Sequence, residues 1–366
     1  MSGSSSPGTE LPAPVLPGPV LIVGTGLVGT SVGLALRRHG HDVWLADHDA
    51  DNLAAAAALG AGRAGEPEAI GLVVAAVPPD HLGAAVVDAL VRWDAAIVTD
   101  VGSVKTAPLE AVRASGTDLS RYVGSHPMAG SERSGPAAAS ASLFEGRAWA
   151  VTPHPKARSD AVETVRALAV ACGASPVELT AEDHDAAVAQ VSHLPHLMAV
   201  LAAARLVDAP HRHLSLSGQG LRDVTRVAAG DPTLWRQIVS ANAAQLRDLL
   251  LDVRDDVDRL LAGLGDPGAP DLLELLRRGA AGTELIPGKH GKPTPAQAIV
   301  YVAVPDRPGE LARLFADAGQ SGVNVEDLHI DHDPARPVGL VEIVVSASSA
   351  DRLVTSLTAQ GWSVHR

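Results

Sequence analysis

Val20-Leu-Ile-Val-Gly24-Thr-Gly26-Leu-Val-Gly29-Thr-Ser-Val-Gly33-Leu-Ala-Leu-Arg-Arg-His-Gly40 is the stretch on which the fold turns. An apolar run of strand length enters a glycine turn. A helix-period pattern carried by Leu27, Leu34 and Leu36 leaves it and stops at Gly40, and His41-Asp-Val-Trp-Leu-Ala-Asp47 reads as a second strand ending in an acid. This is G-x-G-x-x-G in the strand–turn–helix–strand–acid context that a dinucleotide site needs. Gly24 allows the tight turn, Gly26 leaves room for a pyrophosphate, and Gly29 lets the helix pack close to the strand. Free N–H groups and the positive end of the helix dipole would face the phosphates. Asp47 can accept from both hydroxyls of an adenosine ribose and would repel a 2′-phosphate, which favours NAD over NADP. The expected cofactor-binding set is Gly24, Gly26, Leu27, Val28, Gly29, Asp47, Val77 and Ser103.

Working outward, the 366 residues are enough for two or three domains, each with its own core. Hydrophobic residues make up 46% of the chain, as in a globular protein, and no apolar run reads as membrane-spanning. A net charge of −13 argues against non-specific nucleic-acid binding, and it requires any anionic ligand to be held by a local group of cations. The single cysteine, Cys172, excludes an internal disulfide and a cysteine-based zinc site. The Ser/Gly/Pro-rich residues 1–18 carry no basic group and read as a disordered tail rather than a signal peptide, so a cytoplasmic location is expected.

Downstream, a helix over Asp51–Leu59 precedes a buried strand over Ile70–Val77, whose unbroken apolar character suits a parallel sheet covered on both faces. A helix over His81–Arg92 follows, then strands over Ala95–Asp100, Tyr122–His126, Trp149–Thr152 and Pro176–Thr180. This alternation predicts a doubly wound, Rossmann-type α/β domain over 19–180. From Ala181 the period becomes helical, through Glu182–Leu206 with Pro195 inside and Pro232–Leu264, which predicts an all-helical domain over 181–280. A glycine- and proline-rich linker is expected over 281–296. The last unit, 297–366, reads as βαββαβ, a ferredoxin-like arrangement of a small sheet with helices on one face.

Ligands of open α/β sheets lie beyond the carboxyl ends of the strands, where Gly102-Ser103-Val104-Lys105 and Ser125-His126-Pro127 fall. Oxidising a carbinol carbon requires removal of the hydroxyl proton, which a histidine near its free pKa can accept. His126 fits that task, with Ser103 bonding the same oxygen, although a strand-end histidine bonded to backbone has the same sequence. Arg222 and Arg226 lie four apart. Either could grip a carboxylate, or both could be a solvated pair bridged to Asp223. His193 and His196 share a helix face, as metal ligands or as buried, bonded imidazoles.

The chain resembles prephenate dehydrogenases from about residue 20 to 366. The motifs that carry the resemblance are Gly24-x-Gly26-x-x-Gly29, Asp100-Val-Gly-Ser-Val-Lys105, Ser125-His-Pro-Met-Ala-Gly-Ser-Glu132, His184-Asp185, Ser192-His-Leu-Pro-His196 and Asp223-Val-Thr-Arg226 through Asp231-Pro-Thr-Leu-Trp235. The resemblance implies NAD-dependent oxidative decarboxylation of prephenate in tyrosine biosynthesis. It makes His126 the catalytic partner of the ring hydroxyl, assisted by Ser103, and Arg226 the carboxylate ligand. His193 would line the site, Ser131 and Glu132 would sit at its mouth, and Trp235 would reach a neighbouring subunit's site in a homodimer formed by the helical domain. The final unit, with Asp306-Arg307-Pro308-Gly309-Glu310-Leu311 and Gly322-Val-Asn324, looks like an ACT domain. That likeness implies an amino-acid effector, tyrosine foremost, held by Pro308, Gly309, Glu310 and Asn324. Arogenate or 4-amino-4-deoxyprephenate dehydrogenation is the sister reading. A non-catalytic NAD or amino-acid sensor and a zinc hydrolase using His184, His193 and His196 are the alternatives from other classes.

Overall fold

The computed structural model describes residues 15–130, 133–265, 268–286, 296–332 and 338–366. The chain divides into two compact units, one ending at Arg254 and one beginning at Asp255. This division falls inside the region expected as a single helical domain.

The first unit is built on an eight-stranded sheet: β1 (Val20–Val23), β2 (Val43–Ala46), β3 (Arg63–Ala64), β4 (Leu72–Ala75), β5 (Ile97–Asp100), β6 (Tyr122–Pro127), β7 (Ala148–Thr152) and β8 (Ser175–Glu178), in the order β3-β2-β1-β4-β5-β6-β7-β8. The crossover from β3 back to β1's other neighbour, β4, gives a switch point between β1 and β4, where such sheets hold ligands. β1, β4 and β5 are buried almost throughout because helices cover both faces, the physical reason for their unbroken Val/Ile/Leu runs. β7 runs antiparallel to β6, and β8 parallel to β7, so the sheet is mostly rather than wholly parallel.

The tail expected over 1–18 ends sooner than its composition suggests. Leu16 is buried in the core, and the backbone at Pro17 and Gly18 runs so close to Gly71 that no side chain would fit there. The remainder of that tail, residues 1–14, lies outside the described residues.

The helical region starts with Ala181–Val188, passes through a wide π turn at Ala189–His193, and continues as Leu194–Ala204. The π turn has a cause in Pro195, which lacks an N–H and crowds the carbonyl four residues back. The widened turn, in which Leu194 N–H bonds the Ala189 carbonyl, absorbs the misfit. By length and hydropathy this continuous run is apolar enough to cross a membrane, contrary to the reading from sequence. Its polar residues His184, Asp185 and His193, however, are buried and hydrogen-bonded within the first unit, while Glu182, Asp183 and Gln190 are exposed. Helix Ala181–Val188 packs on Thr106–Ser115, and helix Pro232–Ala241 packs on Pro79–Arg92.

In the second unit, helix Pro270–Glu284 runs through the residues expected to open the linker, 281–284. Residues 287–295 of that linker lie outside the described residues. β9 (Gln297–Pro305), β10 (Val325–His332), β11 (Val338–Ser346) and β12 (Ser363–His365) form an antiparallel sheet in the order β10-β11-β9-β12. Helices Glu310–Gln320 and Ala350–Ala359 pack on it through Leu314, Ala318, Leu353 and Leu357. This is the expected βαββαβ unit.

Candidate active site

At the nucleotide edge, Gly24 has φ +100° and a side chain on Gly29 would strike the Gly24 carbonyl, so strand and helix Leu27–Arg38 can meet only through glycine. Val77 packs beside the same turn. Gly26 precedes the helix with open space where a side chain would stand, and the helix has neither a side-chain cap nor an acid in its first turn. Its first N–H groups, including those of Leu27 and Val28, therefore face a cradle suited to a pyrophosphate. The residues fit a dinucleotide.

Asp47 departs from expectation in one respect. Its carboxylate accepts from the Thr25 N–H and hydroxyl, both at 2.6 Å, and from the Asp49 N–H at 2.9 Å, with His48 at 3.1 Å. Burial acts to raise its pKa, but these bonds outweigh it and hold the carboxyl below its usual value. A ribose hydroxyl there has to share or displace the Thr25 hydroxyl, since a carboxylate offers about four lone-pair sites.

At the centre of the sheet, the carboxyl ends of β5 and β6 are clamped from below. The Lys105 side chain is fully buried, pairs with Asp100 and donates to the Ser125 carbonyl at 2.6 Å. Tyr122 donates its hydroxyl to Asp100 at 2.7 Å. Burial pulls the Lys105 ammonium pKa down against the opposing pull of Asp100. The next residue on β6 is His126.

From His126 a chain of bonds runs inward. Its Nδ1 lies 3.0 Å from His184 Nε2, and His184 Nδ1 lies 2.9 Å from Asp185 Oδ1. Asp185 also accepts the Lys105 N–H at 2.7 Å and the Thr106 N–H at 2.9 Å, capping a helix that has no side-chain cap of its own. Burial tends to raise the Asp185 pKa, and the bonds from His184, Thr106 and Lys105 more than reverse it, so it is held as a carboxylate. Burial first, then the neighbouring His184, Lys105 and His193, push His126 well below 6.5. His126 is thus a neutral imidazole at a strand end, half-buried, whose Nε2 has no hydrogen-bond partner among the described residues. It departs from the near-free histidine expected from sequence: it is a weaker base, and is available as a proton acceptor because it is neutral.

A second group adjoins the first. Asn242 Nδ2 donates to the Asp185 backbone carbonyl at 2.8 Å and lies 3.1 Å from His193 Nδ1. Burial lowers His193 to about 4, against the pull of Asp185. Trp235 stacks on His196 at 3.4 Å and 7° and meets His193 edge-on at 6.1 Å. Burial also lowers His196, with a bond to the Val227 backbone opposing it.

The structure thus gathers His126, His193 and Trp235. Within its own chain, Trp235 stacks on His196 and meets His193 edge-on. Ser103 sits half-buried in the loop after β5, making no protein hydrogen bond among the described residues. Arg226 is exposed, in a 3₁₀ turn (Arg226–Ala229) packed on helix Leu194–Ala204. Asp223 bonds Gln219 rather than bridging the arginines. Ser131 and Glu132 lie outside the described residues. Sequence reasoning gave no role to Lys105, Asp185 or Asn242, and gave His184 only that of a zinc ligand in an alternative reading; the adjacent His184-Asp185 pair was the available signal.

In the second unit, Gly309 has φ +92° and precedes helix Glu310–Gln320, Glu310 pairs with Arg313 at 2.8 Å, and Asn324 donates to Glu326 at 2.7 Å. A recess nearby is lined by Val304, Asp306, Arg307, Leu311, Ile330 and Val341, and includes none of the four residues expected to hold an effector.

Two family profiles match this architecture: "Prephenate dehydrogenase, nucleotide-binding domain" over residues 32–178 and "Prephenate dehydrogenase, dimerization domain" over 180–278. The region beyond residue 278 has no family assignment. A probable prephenate dehydrogenase from Streptomyces niveus, NovF, is 39% identical over 93% of this chain and 98% of its own length. Among solved structures, prephenate dehydrogenase from A. aeolicus in complex with hydroxyphenyl propionate and NAD+ is 26% identical, with a TM-score of 0.65 over 73% of this chain and 97% of that one. Synechocystis arogenate dehydrogenase is also 26% identical, with a TM-score of 0.62 over 72% and 98%. The nucleotide-binding sheet, the helical region and these likenesses converge: the chain belongs to the prephenate dehydrogenase family.

Proposed function

We propose that the protein is an NAD-dependent prephenate dehydrogenase, converting prephenate to 4-hydroxyphenylpyruvate and carbon dioxide. The observation that carries this reading is the Asp185–His184–His126 chain, which leaves one nitrogen of a neutral imidazole without a partner among the described residues at the carboxyl end of β6. NAD, bound over the glycine turn, would supply the hydride acceptor. His126 takes the proton of the ring hydroxyl as hydride leaves the same carbon, giving a dienone. The bond from the ring to its carboxylate then breaks. Its electron pair moves through the ring to the former hydroxyl oxygen, which takes the proton back, so atoms and charge balance. Ser103 bonds the reacting oxygen, and Arg226 holds a carboxylate, with His193, Ser131, Glu132 and Trp235 completing the site. The helical region would form the homodimer. The 297–366 unit would bind tyrosine in the manner of an ACT domain, and calorimetry showing no binding of tyrosine, phenylalanine or tryptophan at millimolar concentration removes that part.

Arogenate is the second reading, favoured by the likeness to the Synechocystis enzyme. Turnover of prephenate, arogenate and 4-amino-4-deoxyprephenate, each with NAD and NADP, decides between them. Efficient turnover of prephenate with NAD is the expected result; turnover of none of the three would end the dehydrogenase assignment.

A further inference from the structure

We infer that Asp185 holds two neighbouring imidazoles in opposite tautomers: His126 with its proton on Nδ1 and an accepting Nε2, and His193 with an accepting Nδ1 and a donating Nε2–H. The inference deepens the proposed dehydrogenase reading by giving the same site one acceptor and one donor. Hydrogen positions follow from which partners can only donate or only accept.

On the first branch, the Asp185 carboxylate only accepts. Its partner, His184 Nδ1, must carry a proton. The carboxylate already receives the Lys105 and Thr106 N–H groups at the positive end of a helix, so His184 need supply one N–H and no charge. His184 Nε2 is then a lone pair, and His126 Nδ1 must donate to it. The proton-free atom of His126 is Nε2.

On the second branch, the Asp185 carbonyl also only accepts, which settles the orientation of the Asn242 amide. The second N–H of that amide reaches His193 Nδ1, which therefore accepts. A neutral His193 carries its proton on Nε2. The groups facing it are Asp185, His184 and His196, and it remains neutral among them. The ligand class that matches both atoms carries a hydroxyl to give its proton to His126 and a carboxylate or carbonyl oxygen to receive His193. Asp185, His184 and Asn242 are positioning residues, since they act through the imidazoles.

The direct test is a long-range ¹H–¹⁵N correlation spectrum of the full-length, histidine-labelled protein at neutral pH, without ligand, assigned with His126→Asn and His193→Asn. The expected pattern is a proton on Nδ1 of His126 and on Nε2 of His193. A proton on Nε2 of His126, or on Nδ1 of His193, overturns the proposal whether or not the protein turns over prephenate. Conversely, the expected pattern without turnover sinks the function and leaves the tautomers standing. Kinetics give the second arm. His184→Leu removes the acceptor and should lower kcat by ~10–100-fold with the KM for NAD unchanged, by analogy with the loss of a carboxylate or carbonyl that orients a metal-bound histidine. His184→Gln, which can both accept and donate, should recover most of that loss. Equal loss in the two variants would reduce His184 to a packing role, contrary to the proposal.

Discussion

The strand-end wall and the Arg226 turn handle opposite halves of the proposed chemistry, and they are organised in opposite ways. At the strand ends, Asp100, Lys105, Tyr122, Ser125, His126, His184, Asp185, His193 and Asn242 form one bonded network. Arg226 is exposed, and among the described residues no ion pair restrains it. The contrast follows from cost. A proton acceptor must be aimed and kept neutral beforehand, because a misplaced tautomer cannot react. A guanidinium stays charged anywhere and can close on its carboxylate when the ligand arrives. On the proposed reading, the proton-handling half is held by protein bonds alone, and the anion-handling half would be completed by the substrate.

The sharpest way to break this comparison is His126→Asn. If the preorganised half performs the proton transfer, kcat falls by ~10²–10⁴ with NAD affinity intact, the scale of general acid–base help. A kcat within threefold of the parent protein would remove His126 from the mechanism. Next in size is the clamp beneath it. Lys105→Met leaves the Asp100 carboxylate buried without its cation, at a cost of about 3–5 kcal/mol. Urea unfolding that shows a loss under about 1 kcal/mol would mean that the pair contributes little to holding β5 and β6 in place.

Local chemistry was legible in the sequence and long-range chemistry was not. The glycine turn, its helix and the second strand occupy one short stretch whose turn and packing rules are local, so their reading survives in the structure. β7 reads as a strand, but alternation of residues carries no direction, and its antiparallel pairing with β6 could not be read. His126 and His184 are 58 residues apart, and Lys105 and Asp185 are 80, so neither bond leaves a mark on spacing. The Thr25 hydroxyl sits inside the glycine motif, yet nothing local says that it would occupy Asp47. Pro195 was visible as an interruption, but the form of the distortion, a π turn over Ala189–His193 rather than a break between two helices, was not.

Arg226→Ala probes the unrestrained half. The expected result is a KM for the anionic substrate raised by ~10–100-fold with kcat changed only a few-fold, the signature of binding shared by ground and transition states. Loss of the two parameters in equal measure would mean that Arg226 acts in the chemical step, and the division between the two regions would fail. The effect should also shrink as salt rises, because an exposed cation is screened.

The smallest effect concerns stability rather than turnover. His126, His193 and His196 are all held below the ordinary histidine value, chiefly by burial, with His193 at about 4. A histidine whose folded pKa is depressed binds its proton more readily in the unfolded chain. Between the folded and unfolded values the unfolded state therefore carries more protons, and stability must rise with pH. The stabilisation from keeping these rings neutral is complete above 6.5 and is lost as pH falls from 6.5 towards 4. Urea midpoints measured across that window should drop as the solution is acidified. His193→Gln should lower the midpoint at neutral pH, by loss of packing, and flatten its dependence on pH. A parent protein with no slope between 6.5 and 4 would mean that the imidazoles titrate as they do in water, and the preorganised half would lose the neutrality on which its difference from Arg226 rests.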